Sequence, residues 1–242
     1  MGAGVFVAGT DTGVGKTVIA AGILHSLRSA GVDAVPMKPV QTGASHPSRS
    51  QDLEFCLQVA GTDPDATELG LMSPYCLKTE ASPHLAARLE NVRIDTNHIL
   101  CCLDALRREH EAVVVEGAGG ILVPLNESET MLDLIRLLSI PVVLVARRGL
   151  GTINHTLLSL SALQSKGVEV SGIILNETAH TPGFIAGDNA ETIARLGKTA
   201  VLGSMGLISA SSEDEFRQRL KAVFREAVPG WTAIMERLRQ GQ

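Results

Sequence analysis

Positive charge is nowhere concentrated in this chain. Lys and Arg total 21 against 26 Asp and Glu, for a net charge of -5. The longest basic stretches are the pairs Arg107-Arg108 and Arg147-Arg148. A nucleic-acid partner is excluded on that ground, because such a surface needs clustered cations. Long apolar runs are also missing. None approaches the roughly 20 residues that span a bilayer, so no membrane partner is expected. The chain enters a core strand almost at once, and no secretory signal is expected before the fold. Cys56, Cys76, Cys101 and Cys102 form no Cys-x-x-Cys pair. This pattern fits reduced thiols in a cytoplasmic protein. The seven histidines lack metal-ligand spacing, and His98 and His155 read as helix-face residues. Repeats and low-complexity linkers are absent too. With 45% hydrophobic residues, the 242-residue chain suffices for one α/β domain over 1–242.

What the chain does have is Gly9-Thr10-Asp11-Thr12-Gly13-Val14-Gly15-Lys16-Thr17. An apolar run, Val5 to Ala8, precedes it as a strand, and a helical pattern from Thr17 to Ala30 follows. Strand, glycine loop and helix form the context of a phosphate-binding P-loop. The strict pattern would put glycine where Thr10 stands, so the loop is a variant. Its glycines let backbone N–H groups turn toward an anion, and the helix N-terminus adds donors. Lys16 can reach the outer phosphates of a nucleotide, and Thr17 sets a hydroxyl where Mg²⁺ would sit.

Further along, Ala34 to Met37 reads as a strand closing in Lys38-Pro39-Val40-Gln41-Thr42-Gly43. A lysine and a hydroxyl there lie at the edge where open α/β sheets bind ligands. Residues 45–51 read as a mobile loop. Asp52 opens a helix to Ala60, either as its N-cap or as a metal ligand. Residues 61–80 read as irregular. A helix begins at Ser82-Pro83, and another spans Asn97 to His110. Ala112 to Val115 reads as a fully buried parallel strand ending in Glu116-Gly117-Ala118-Gly119-Gly120. An acidic residue at such a strand end holds Mg²⁺ in P-loop enzymes. Later elements are a helix at 131–139, a strand at 141–146 and a long helix to Lys166. A strand at 170–175, a helix at 189–196 and a short strand at 200–202 follow. Two amphipathic patterns fill a helical tail over 211–242, broken at Pro229-Gly230. Strands alternating with helices imply a P-loop NTPase-type α/β fold, a mostly parallel sheet with helices on both faces.

Four motifs in this order resemble the dethiobiotin synthetase family. They are the P-loop, Lys38 to Gly43, Val115 to Gly120, and Leu150-Gly151-Thr152-Ile153-Asn154-His155-Thr156. The resemblance covers about residues 5–205. It implies that diaminopelargonic acid, carbon dioxide and ATP give dethiobiotin, ADP and phosphate. By resemblance, Lys16 and Lys38 are catalytic, with Lys38 nearest a reacting carbamate. Gly13, Val14, Gly15, Lys16, Thr17 and Val18 would hold nucleotide, with Asp52, Glu116, Gly117, Ala118 and Gly119. Asn176 falls where the family reads adenine, with Glu177 beside it. Thr17, Asp52 and Glu116 match the family's Mg²⁺ positions. Thr12, Thr42, Gly151, Thr152 and Asn154 would meet the diamine substrate, the last three from a partner subunit in a homodimer. The chain differs from family members at Gly13, where some have glutamate, and at Met205-Gly206, where a proline is expected.

A switch ATPase of the partition or septum-positioning type is the main alternative. That class carries a lysine near the position of Asp11. A cobyrinic-acid type synthetase would need a glutaminase domain for which the chain has no room.

Overall fold

A computed structural model describes residues 1–239, so residues 240–242 of the expected tail lie outside the described residues. Its central sheet has six strands: β1 (Ala3–Gly9), β2 (Ala34–Met37), β5 (Ala112–Glu116), β6 (Val142–Arg147), β7 (Val170–Asn176) and β8 (Val201–Met205). All pair in parallel, in the order β2-β5-β1-β6-β7-β8. The central strands are apolar along most of their length because both faces are covered, and polar residues such as Glu116, Arg147 and Asn176 stand at their C-terminal ends. In β1, Phe6 and Ala8 enter one core and Val5 and Val7 the other. In β5, Val113 and Val115 join the first core, Ala112 and Val114 the second.

The second core is closed by α1 (Lys16–Ser29), α2 (Gln51–Ala60), α9 (Glu213–Ala227) and α10 (Trp231–Arg239). The first is closed by α3 (Ala66–Met72), α4 (Pro83–Leu89), α5 (Thr96–Glu109) and α6 (Met131–Leu138), with α7 (Thr152–Ser165) and α8 (Gly183–Gly197). A separate parallel pair joins β3 (Val40–Thr42) to β4 (Tyr75–Leu77). The chain leaves β1 for β2 on one side, while β6 to β8 extend the other. The loop after β1 therefore lies where the strand order reverses, the ligand-binding crevice of open α/β sheets.

Several expectations need correction. Residues 61–80 are not irregular throughout. Asp65 caps α3 by accepting the N–H groups of Thr67 and Glu68 at 2.8 and 2.9 Å, and β4 follows. Residues 45–51 contain a 3₁₀ turn, Pro47–Arg49. Asp52 is not the cap of α2. Ser50 is, accepting the Leu53 N–H at 3.2 Å, which leaves the Asp52 carboxylate in the first turn to meet Lys38 and Thr17. α8 begins at Gly183, six residues ahead of expectation, and β8 runs on to Met205.

The tail docks on α1 through one notch. A Cβ on Gly22 would lie 2.1 Å from the Phe224 ring, so only glycine seats that ring. Phe224 is 1% exposed. Phe224→Ala should destabilise the fold by about 3–5 kcal/mol, the usual range for a buried aromatic truncation. Urea denaturation measures it. A loss below about 1 kcal/mol would show that the tail lies outside the cooperative core.

Candidate active site

Parallel register sets the centre of the site. Met37 of β2 pairs with Val115 of β5, and Val7 of β1 with Glu116. Lys38 and Glu116 are the next residues on their strands, so they face each other. The Lys38 ammonium lies 2.7 Å from Glu116 Oε1 and 2.8 Å from Asp52 Oδ2. Thr17, at the start of α1, places its hydroxyl 2.9 Å from both Asp52 Oδ1 and Glu116 Oε1. Four residues from four elements thus meet around one point. Lys38 and Glu116 are buried, at 5% and 4% exposure.

Asp52 is delivered by a chain of hydrogen bonds that the sequence reading missed. Ser50 caps α2 and donates to Gln41 Oε1 at 2.9 Å, tying α2 to β3. A serine two residues ahead of Asp52 was the available signal, since both residue types cap helices.

Electrostatics bind the cluster. Burial alone would strip the proton from Lys38, but Glu116 and Asp52 outweigh it and push its pKa up. Burial pushes Glu116 up as well, against the pull of Lys38. Burial would raise Asp52 too, but Lys38 and the Thr17 hydroxyl bring it below its usual value. Lys16 differs. Burial is its largest influence, Lys38 adds to it, and its pKa falls to about 8 despite Glu116. Its ammonium donates to the Asp11 carbonyl at 3.0 Å.

The loop itself is held in shape. Gly15 has φ 92°, and a Cβ there would lie 2.0 Å from the Asn176 amide nitrogen. That nitrogen donates to the Val14 carbonyl at 3.0 Å. Asn176, expected at the adenine, thus braces the loop from the end of β7. Gly15 opens α1 with no side-chain cap, which leaves first-turn N–H groups for a phosphate. Val14 is buried, Val18 half-buried, and Gly13 exposed. Gly117 packs beneath the Phe6 ring, and Gly119 lies 3.5 Å from the Thr12 hydroxyl, measured from where a Cβ would stand. Ala118 packs against the first core. Glu177 accepts from Arg148 at 2.8 Å, from the Thr181 N–H at 2.7 Å and from the Leu207 N–H at 3.3 Å.

The expected substrate residues are more dispersed. Thr42 sits half-buried on β3. Gly151 and Asn154 are exposed at the start of α7, while the Thr152 side chain is buried against Thr156, leaving its backbone for a ligand. Among the described residues no hydrogen bond joins these to the Lys38 centre. Thr12 borders a cleft of about 510 Å³ lined also by Gly120, Ile121, His155 and Leu158. A hollow of about 590 Å³ at the other end of the sheet, between Met1–Ala3 and Arg107–Ala112, contains none of the expected residues.

The donors around Thr17 fit Mg²⁺. They are two carboxylates and a hydroxyl, all hard oxygens. Among the described residues no group of three or more Asp, Glu, His or Cys side chains is arranged to hold a metal ion. That sparse set suits an ion that keeps waters and takes substrate phosphates as further ligands.

The model of a family described as an AAA domain matches residues 3–214. The ATP-dependent dethiobiotin synthetase of Anaeromyxobacter dehalogenans (strain 2CP-C) is 44% identical over 195 residues, 80% of this chain and 85% of that protein. The corresponding protein of Halalkalibacterium halodurans is 37% identical over 226 residues, 89% of this chain and 90% of that one. Among solved structures, the septum site-determining protein MinD with Mg-ADP from Pyrococcus horikoshii OT3 has TM-score 0.56 at 14% identity. It covers 100% of this chain and 96% of that one, a likeness of fold alone.

Two outcomes follow from the charges. Only the charged form of Lys16 would attract a phosphate, and burial lowers its pKa to about 8. Nucleotide binding above pH 8 should therefore take up a proton. Calorimetry in buffers of different ionisation enthalpy detects this, and zero uptake at pH 8.5 would contradict it. Lys38→Gln should leave Asp52 and Glu116 without their cation and cost about 3–5 kcal/mol of stability in EDTA. Millimolar Mg²⁺ should restore part of that loss in urea denaturation.

Proposed function

We propose a reaction course from one premise: this chain belongs to the ATP-dependent dethiobiotin synthetase family. It is an ATP-dependent cyclo-ligase that forms dethiobiotin in biotin biosynthesis. The observation that carries the residue roles is the buried convergence of Lys38, Asp52, Glu116 and Thr17.

The chemistry has three steps. One amine of diaminopelargonic acid attacks carbon dioxide and loses a proton, giving a carbamate. A carbamate oxygen attacks the γ-phosphorus of ATP, the bond to the bridging oxygen breaks, and ADP leaves. The second amine attacks the carbonyl carbon of the carbamic–phosphoric anhydride. The new carbon–nitrogen bond closes the ring, the carbon–oxygen bond to phosphate breaks, and phosphate and a proton depart. Negative charge gathers on carbamate and phosphoryl oxygens, so fixed positive charge is the main requirement.

Lys16 and the first-turn N–H groups of α1 receive the phosphates, with Gly13 to Val18 wrapped around them. Lys38 holds the carbamate oxygen toward the γ-phosphorus. Its elevated pKa keeps it charged throughout. Thr17, Asp52 and Glu116 would hold Mg²⁺, which supplies charge neutralisation at the phosphates. Gly117 to Gly119 border the nucleotide, and Thr12 and Thr42 contact the diamine. Asn176 and Glu177 border the base of the nucleotide. The N-terminus of α7, at Gly151, Thr152 and Asn154, receives the substrate carboxylate from a second subunit. Exposed Leu150, Leu122 and Leu158, at 85%, 62% and 62%, support a homodimer with the substrate at its interface. The four free thiols support a cytoplasmic enzyme. The whole chain acts as one P-loop unit, with α9 and α10 as its brace.

The direct test is ATP cleavage with and without diaminopelargonic acid plus bicarbonate. Cleavage should depend on both, with dethiobiotin as product. Within that assay, Lys38→Gln should keep near-normal ATP affinity and lose about 10²–10³ in turnover, the scale of one positioned charge. If affinity and turnover fall together, Lys38 serves the nucleotide alone. If neither falls, the carbamate role is wrong.

A further inference from the structure

Arg147 ends β6 and Arg148 follows it, and the reaction course uses neither. Their side chains diverge. Arg148 pairs with Glu177. Arg147 turns over the P-loop, where one guanidinium nitrogen donates to the Asp11 carboxylate at 3.2 Å and to the Thr12 carbonyl at 3.0 Å. Register explains the reach. Gly9 pairs with Val145, and the Thr10 N–H bonds the Val145 carbonyl at 3.0 Å. β6 then continues to Arg147 while β1 has already turned into the loop. Arg147 is also the register partner of Asn176, which grips Val14. Neighbouring strand ends thus hold the loop at two points.

Asp11 is the P-loop's own carboxylate. Its second oxygen accepts the Thr12 N–H at 2.7 Å, shaping the turn. Its carbonyl takes the Lys16 ammonium. A triphosphate brings several negative charges into this loop, and an unpaired Asp11 would oppose them. An arginine can hold carboxylate and carbonyl together, which a lysine's point charge does less well.

We propose that Arg147 is a positioning residue for ATP: it neutralises Asp11 and fixes the Asp11-Thr12 half of the loop so that the loop accepts a triphosphate. The inference rests on the P-loop being the ATP site. Arg147 and Asp11 side chains are 42% and 48% exposed. So exposed a pair adds little to fold stability, and its effect should appear in ligand binding.

The test uses the full chain with Mg²⁺ and a non-hydrolysable ATP analogue in calorimetry, with steady-state kinetics alongside. Arg147→Ala should weaken nucleotide binding and raise the KM for ATP by roughly tenfold, the scale of one uncompensated charge in a half-exposed site. Turnover at saturation and the thermal midpoint should change little. Arg147→Lys should recover part of the affinity. Asp11→Asn keeps an oxygen for the Thr12 N–H and removes the charge, so Asp11→Asn/Arg147→Ala should bind better than Arg147→Ala alone. High salt should narrow the gap between wild type and Arg147→Ala. A double variant no better than Arg147→Ala would overturn the proposal, as would unchanged affinity in Arg147→Ala. Should Arg147→Ala fail to fold, Arg147→Lys and the double variant decide by the same affinities. Lys16→Ala is the control. If wild type binds no nucleotide, or Lys16→Ala binds as tightly as wild type, the P-loop assignment fails instead.

Discussion

An ammonium group held between two carboxylates away from water is the constraint on which this molecule turns. Lys38 and Glu116 could not both be buried without each other, because either charge alone would be expelled or neutralised. Their meeting requires β2 beside β5 in one register, and Asp52 requires α2 to start at Gln51. A slip of one residue in either would point one of the charges into an apolar core. The fold's parallel pairing and its charged centre are therefore one specification. The same arrangement suits the chemistry: a site already arranged around fixed charge does not have to reorganise when charge moves across it.

Much of this was legible from sequence. The continuous apolar runs of β1, β5, β6 and β7 have no other economical reading than strands covered on both sides. The Gly-Val-Gly-Lys-Thr run placed the loop and the helix after it. Lys38 and Glu116 stood out because polar residues directly after such runs fall at one edge of the sheet. Where the reading failed, the elements were short or their signals competed. α3 has seven residues and β4 has three, too few for a period to show. Ser50 and Asp52 both cap helices well, and composition could not choose between them. Pro182, Gly183 and Gly187 disguised the first turns of α8. Arg147 was read as half of a scattered basic pair, because its partner lies 136 residues away in sequence.

Much of the site is also held in shape by the protein's own contacts. Asn176 under Gly15, Ser50 against Gln41 and the Lys38 cluster are all satisfied within the protein itself. Little ordering entropy then remains to be lost on binding, and more of the contact energy can serve affinity or catalysis.

The notch at Gly22 ties together two parts of the chain that lie far apart in sequence. The ring that fills it comes from Phe224, 202 residues later (224 − 22). Ile19 and Ile23 of α1 belong to the same core as Phe224, together with residues of β1, β5 and α2. A contact of such separation is among the last a folding chain closes. Seating that ring therefore costs more loop-closure entropy than any contact α1 makes within itself.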